Sequence, residues 1–283
     1  MITYVNNEII EGKGASISIF DLGLTRGYGA FDRLRTYGER PFHLDDHLQR
    51  LQFSSSQIHL PLPKSLAEIK EIILQMLKKS PYQESDIRII VTGGTSSDGL
   101  SFSGESSLII HLSPFLSIPQ RQYEEGIKAS TSRFMRSFPE CKTTHYLPAI
   151  VALEQGKKIG AAEVLFCNGK NEILEGATSN FFAFKNGRLI TAPGPDILFG
   201  FTREITLNLA KPHFPIEKRN LHLDELESID EAFVTSSNRE ILSIVKIDGQ
   251  TIGKGIPGPQ TQFLHQKFRD YTQKETWEFL GIF

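Results

Sequence analysis

Two Asn-Gly dipeptides, Asn168-Gly169 and Asn186-Gly187, each stand between short runs rich in apolar, β-branched and aromatic residues. An Asn-Gly step accepts the left-handed backbone that a tight turn between strands demands, which makes it the strongest short-range hairpin signal in a sequence. It predicts strands paired antiparallel with their immediate neighbours rather than an array of strand–helix–strand crossovers. Neither a Walker sequence nor a Gly-x-Gly-x-x-Gly element is present. The expected architecture is α+β, with two α/β domains whose sheets are mostly antiparallel or mixed and carry flanking helices.

The remaining signals fill in the order of elements. Val5-Asn6-Asn7-Glu8-Ile9 predicts two short strands around an Asn-Asn turn, and residues 28–37 a longer strand followed by a turn over 38–41. Leu44, Leu48, Leu51 and Ile58 recur at helical spacing across 44–58. Ser65-Leu66-Ala67-Glu68 has the capping-box pattern and opens a second helix running through Leu77. Strands are expected at 87–92 and 107–112, after which Pro114 and Pro119 break regular structure. Further on, the pattern predicts a strand at 127–134, a helix at 147–159, the two hairpins, a short helix at 202–210, strands at 232–235 and 244–247, and a closing helix at 259–277. The 283 residues are enough for one large or two medium domains. The expected division is a smaller N-terminal domain over 1–115, a linker over 116–124, and a larger C-terminal domain over 125–283 that contains Lys142.

Composition excludes several function classes. A formal charge of −2 gives no broad basic surface for a phosphate backbone, so no nucleic-acid partner is expected. Apolar runs such as the one around Ile72, Ile73 and Leu74 are far too short to span a bilayer. The N-terminal residues lack a basic segment leading into an apolar core, so no signal peptide is expected. Cys141 and Cys167 do not suggest a disulfide framework, and a reducing cytoplasm is the expected compartment. His43, His47 and His145 are too scattered for a metal site.

The chemistry resides in an isolated lysine, Lys142, followed later by Glu175 at the head of Glu175-Gly176-Ala177-Thr178-Ser179-Asn180-Phe181. A lysine amine that forms a Schiff base with an aldehyde, and a carboxylate that keeps a pyridine nitrogen protonated, are what pyridoxal chemistry requires. Four segments occur in order: the run from His43 to Leu51 with Arg50, Lys142 with Tyr146, Glu175 to Asn180, and Gly200-Phe201-Thr202-Arg203. Together they resemble the class IV, fold type IV, pyridoxal-phosphate enzymes over most of the chain. That group includes branched-chain aminotransferases, D-amino acid aminotransferases and aminodeoxychorismate lyases.

The resemblance implies pyridoxal 5'-phosphate as cofactor and a role for each motif residue. Lys142 is the Schiff-base lysine and the proton carrier, since a free amine is both nucleophile and base. Glu175 pairs with the pyridine nitrogen. Arg50 binds the phosphate through its planar fork of donors. Phe201 and Thr202 stand at a helix N-terminus whose N–H groups suit the same phosphate, and Thr202 equally reads as a simple N-cap. Ser237 lies in the turn Ser236-Ser237-Asn238 that matches a second phosphate contact. Tyr146 reaches the ring oxygen, while Ser179 and Asn180 support Glu175 and the phosphate region.

The substrate pocket is expected from Phe31, Arg33 and Arg35, from Arg88, and from the loop at Gly93. Strand alternation puts Phe31, Arg33 and Arg35 on one face. Two arginines beside an aromatic wall suit a carboxylate-bearing substrate, or else the strand simply faces solvent. Arg35 either points inward or pairs with Asp32. Relatives of the lyase and D-amino acid types tend to carry an arginine where this chain has Gly93, and the Tyr-x-Arg-Pro pattern of branched-chain enzymes is also missing. The function implied is amino transfer between a branched-chain-like or D-amino acid and a 2-oxo acid, by a homodimer. The alternative is a lyase releasing pyruvate and p-aminobenzoate from aminodeoxychorismate with the same lysine. A protein that binds the cofactor without catalysis is disfavoured by the intact Lys142, Glu175 and Arg50.

Overall fold

A computed structural model of the chain describes residues 1–5, 7–274 and 276–283. It divides into two compact units, one of Met1–Leu116, Cys141–His145 and Gln273–Phe283, the other of Ser117–Glu140 and Tyr146–Thr272. Two segments depart from the expected division. Cys141–His145, with the lysine, and the C-terminal Gln273–Phe283 both belong to the first unit rather than to a C-terminal domain. Both are drawn there by specific bonds, described below for the lysine segment. At the C-terminus, the Trp277 ring lies edge-on to Phe42 at 4.8 Å and the Leu280 N–H donates to Asp46 Oδ1 at 2.9 Å.

The first unit is a six-stranded sheet in the order β2-β1-β6-β5-β3-β4. Its strands are β1 (Ile2–Val5), β2 (Glu8–Glu11), β3 (Gly29–Tyr37), β4 (Arg40–Pro41), β5 (Ser85–Thr92) and β6 (Ser107–Pro114), with a short helix α1 (Leu22–Arg26) before β3. β1 and β2 pair antiparallel as expected; Asn6 of the expected turn lies outside the described residues. Helices α2 (Leu44–Gln57) and α3 (Leu66–Lys78) share one core with the sheet. The capping box opens α3, with the Ser65 side chain on the Glu68 N–H and the Glu68 carboxylate on the Ser65 N–H. Period-2 alternation selects the core-facing residues: Ala30 and Leu34 on β3, Ile87, Ile89 and Val91 on β5, and Leu108, Ile110 and Leu112 on β6. Between Ala30 and Leu34 the same alternation drives a carboxylate, Asp32, into the core side.

The second unit begins with α4 (Gln120–Glu125), inside the stretch expected to be linker, and β7 (Ile127–Arg133). Then come α5 (Leu147–Lys158), β8 (Glu163–Cys167), β9 (Glu172–Gly176), β10 (Asn180–Lys185), β11 (Arg188–Thr191), α6 (Phe201–Ala210), β12 (Ile216–Lys218), β13 (Leu221–His222), β14 (Glu231–Ser236), β15 (Glu240–Ile247), β16 (Gln250–Thr251) and α7 (Pro259–Thr272). The strands run β12-β11-β10-β14-β15-β7-β8-β9-β13, with β16 on β15 and a further pairing of β9 with β10. That pairing, Asn180 opposite Glu175, closes β10, β14, β15, β7, β8 and β9 into a ring. Ile127, Leu165, Phe181, Val234, Leu242 and Ile244 belong to its core. Most neighbours are antiparallel, but β7 pairs parallel with β8 across the α5 crossover, as parallel neighbours require a long connection.

One hairpin matches its signal and one differs. Asn186 and Gly187 both have positive φ, and Lys185 pairs with Arg188 across a two-residue turn. At Asn168-Gly169 the turn is longer. The Asn168 side chain accepts from the Lys170 and Glu172 N–H groups, and Asn171, not Gly169, takes the left-handed conformation. The side-chain amide oxygen reinforces a wider backbone turn, in which the Asn171 N–H donates to the Asn168 carbonyl at 3.2 Å. Helix α7 likewise ends at Thr272 rather than at 277, because the residues beyond it join the first unit.

Glu240 makes the second unit acid-sensitive. Burial alone would push its carboxyl up, but hydrogen bonds and charge from His265 and Arg269 outweigh burial and hold it down at about 2. An unfolded glutamate titrates near ~4.3. The stabilisation is therefore complete above that value and lost as pH falls toward the folded value. Glu240→Gln is expected to lower the urea midpoint at pH 7, by on the order of 3 kcal/mol of stability, with the gap to wild type closing below pH ~4. A gap independent of pH would contradict this account.

Candidate functional site

The expected site residues fall in both units. Phe31, Arg33, Arg35, Arg50, Arg88, Gly93 and Lys142 lie in the first, and Tyr146, Glu175, Ser179, Asn180, Phe201, Thr202 and Ser237 in the second.

In the first unit, the lysine segment docks on the edge of β3 as a short antiparallel bridge, Ala30 opposite Thr143. The Phe31 N–H donates to the Lys142 carbonyl and the Thr144 N–H to the Gly29 carbonyl, each at 2.9 Å. From the other direction the Lys142 N–H donates to Ser54 Oγ on α2 at 3.0 Å. The lysine backbone is thus held by a strand and a helix at once, while its Nζ lies 4.7 Å from the centre of the Phe31 ring. An aromatic face attracts the charged amine and gives it an apolar neighbour.

Arg50 is 3% exposed and Asp32 fully buried. The guanidinium donates to Asp32 through Nε (to Oδ2) and Nη2 (to Oδ1), both at 2.8 Å, and His47 Nδ1 lies 2.7 Å from Asp32 Oδ1. Burial alone would raise the Asp32 carboxyl, but the charges and hydrogen bonds of Arg50 and His47 outweigh it and hold it well below the usual range. Burial lowers the His47 imidazole against the opposing pull of Asp32. The carboxylate therefore keeps its charge, and the pair is a bidentate buried ion pair.

The other face of the sheet carries Phe31, Arg33 and Arg35 as alternation predicts, all half-buried. Arg33 stands opposite Arg88 on β5, and Asp86 accepts from both, from Arg33 Nε at 2.6 Å and from Arg88 Nε at 3.2 Å. Like charges directly opposite across strands repel, and Asp86 offsets one of the two. Arg35 does not pair with Asp32, which faces the core. Its guanidinium stacks on Phe115 at 3.5 Å and on Tyr37 at 4.1 Å. Gly93 has a steric cause: a Cβ there would lie 2.5 Å from Cδ1 of Tyr28. An arginine at this position would require that ring to move.

In the second unit, Glu175 is the penultimate residue of β9, at the ring closure, and is 5% exposed. Arg136 Nε donates to Oε1 at 2.8 Å and the Leu198 N–H to Oε2 at 3.0 Å. Asn180 Nδ2 donates to the Leu198 carbonyl at 2.9 Å, so two side chains grip one residue of the segment leading to α6. Ser179 Oγ donates to Glu163 Oε2 at 2.8 Å, and Arg239 Nη1 donates to that oxygen at 2.6 Å. The buried Glu163 thereby ties the turn after Glu175 to the turn holding Ser237. Phe201 and Thr202 open α6 and are buried; its N-cap, Gly200, supplies no side-chain cap. Thr235 Oγ1, just before the Ser237 turn, is buried without a hydrogen-bond partner. Tyr146 is the N-cap of α5 and packs, partly buried, against the cluster of Ala149, Ala152, Val164, Phe166 and Ala177.

Asp32, Arg136 and Glu163 were missed by sequence reading. Asp32 was legible, as a lone charge at a core-facing position of an alternating strand. Arg136 and Glu163 had no such signal.

The family model for class IV amino-transferases matches residues 29–247. A Methanocaldococcus jannaschii protein provisionally named a branched-chain-amino-acid aminotransferase is 31% identical, with 97% of each chain covered. The D-alanine aminotransferase of Staphylococcus haemolyticus is 29% identical over 96% of this chain and 98% of its own. Among solved structures, the branched-chain amino acid aminotransferase of Escherichia coli superposes with a TM-score of 0.91 at 26% identity, covering 99% of this chain and 97% of the other.

Proposed function

The chain belongs to the class IV aminotransferases, and from that premise we propose that Lys142 is the lysine through which it moves an amino group from an amino acid to a 2-oxo acid. Its cofactor is pyridoxal 5'-phosphate, which when bound supplies an aldehyde and an electron-withdrawing ring. The observation that carries the proposal is the hold on the lysine segment by Gly29 and Phe31 of β3 and Ser54 of α2, with the amine over an aromatic face.

The residues present fit that cofactor. The α6 N-terminus without a side-chain cap and the unpartnered Thr235 hydroxyl suit an anion. In this reading Phe201, Thr202 and Ser237 supply donors to the phosphate, and Arg50 a guanidinium. Glu175, oriented by Arg136 and the Leu198 N–H, accepts from the pyridine nitrogen. Ser179 and Asn180 keep its turn in place, and Tyr146 donates to the ring oxygen. Lys142 removes and returns the proton at the substrate Cα. Phe31 walls the pocket, and Arg33 and Arg88 attract the substrate carboxylate. Arg35 and Gly93 border it.

The donor in this reading is a branched-chain or D-amino acid, the activities named for the relatives. Those names favour transamination over the lyase alternative. Exposed apolar side chains at Ile17, Ile19, Phe20 and Leu24 suit burial against a second copy in a homodimer. Two buried cysteines, neither in a disulfide, fit the cytoplasm; among the described residues no helix is long and apolar enough to cross a membrane. The test is a screen of both enantiomers of branched-chain amino acids and of alanine against 2-oxoglutarate and pyruvate. Amino transfer that depends on the 2-oxo acid, with parallel-line kinetics, is expected. Pyruvate and p-aminobenzoate from aminodeoxychorismate alone would overturn it.

A further inference from the structure

Resting on the reading that Arg50 grips the cofactor phosphate, we propose that Asp32 is a positioning residue that fixes the Arg50 guanidinium for that task. Stability alone gives a poor reason for a carboxylate at this point. Ala30 and Leu34, its neighbours on the same face of β3, belong to the apolar core beneath α2. An apolar residue at 32, with an apolar partner on α2, would continue that core, and such replacements of buried ion pairs are often neutral or stabilising. What the carboxylate adds is geometry. Two parallel bonds of 2.8 Å set the plane of the guanidinium, and His47 at 2.7 Å limits rotation of the carboxylate.

The same two elements hold the lysine. Phe31, the residue before Asp32, points to the opposite face, receives the Lys142 carbonyl on its N–H and lies under the amine. Ser54, one helical turn beyond Arg50 on α2, accepts from the Lys142 N–H. Adjacent residues of one strand thus locate the amine and the guanidinium, so the spacing between these two groups is set by β3.

The test compares two ligands that differ only in the phosphate. Starting from holoenzyme, the cofactor is released and uptake of pyridoxal 5'-phosphate and of phosphate-free pyridoxal is followed by visible absorbance. Asp32→Asn is expected to weaken pyridoxal 5'-phosphate roughly 10- to 100-fold, the range for hydrogen bonds to charged groups, and to leave pyridoxal within about twofold. Asp32→Glu, which keeps the charge on a longer arm, recovers part of the loss. Equal weakening of both ligands, or of neither, overturns the proposal. Should Asp32→Asn fail to fold, His47→Gln gives the same comparison, with a smaller loss that is again confined to the phosphorylated ligand. Arg50→Lys separates the premise from the proposal. If that variant binds pyridoxal 5'-phosphate as tightly as wild type, the phosphate reading of Arg50 falls and the proposal with it; a selective loss in Arg50→Lys with none in Asp32→Asn overturns the proposal alone.

Discussion

Lys142→Ala is expected to lower turnover by roughly ten-thousand-fold or more, since loss of general acid–base catalysis alone costs up to ~10,000-fold and the nucleophile goes with it. The fold is expected to tolerate the change. The segment is anchored by backbone groups, with the Phe31 and Thr144 N–H bonds and the Lys142 N–H to Ser54, none of which involves the lysine side chain. What disappears includes the amine over Phe31. The thermal midpoint should therefore stay close to that of wild type. Added methylamine should restore a measurable fraction of the proton transfer, which it would not do for a misfolded protein. Near-normal turnover would remove Lys142 from the mechanism.

Glu175→Gln is expected to cost roughly a hundredfold in kcat, comparable to removing one aligned electrostatic contact in a catalytic site. The substitution is nearly isosteric, and the amide oxygen can still accept from the Leu198 N–H. The negative charge is lost, and with it the ion pair to Arg136, whose guanidinium also donates to the Pro139 carbonyl. The cofactor should remain bound through the phosphate contacts, so its release rate should change far less than kcat. Glu175→Asp, which keeps the charge but withdraws it by one methylene, should lie between the two. An unchanged kcat in Glu175→Gln would mean that another group faces the pyridine nitrogen.

Much of the local structure was legible because it rests on near neighbours. The Ser65 capping box, the Asn186-Gly187 turn and the alternation that puts Phe31, Arg33 and Arg35 on one face each follow from a few adjacent residues. The lysine segment was placed in the wrong unit because its partners are remote: Phe31 and Ser54 are separated from Lys142 by most of the first unit, and no local pattern encodes that pairing. Strands as short as β12, β13 and β16 carry too few residues for any periodicity. Arg35 stacks on Tyr37 and Phe115, on the face opposite Asp32, an arrangement set by which rings flank it in three dimensions. Among the proposed site residues, Lys142, Glu175 and Arg50 stand out in the sequence through the order of their motifs along the chain. Of the groups that hold them, Asp32 stands out as a charge at a core-facing strand position, whereas Ser54 and Arg136 emerge only once distant segments are brought together.

The most direct test of the central claim is chemical. The holoenzyme is treated with borohydride, which fixes a Schiff base as a stable secondary amine, then digested and mapped by mass spectrometry. The account predicts the phosphopyridoxyl mass on the peptide that contains Lys142. The same mass on any other lysine, with Lys142 unmodified, would contradict it.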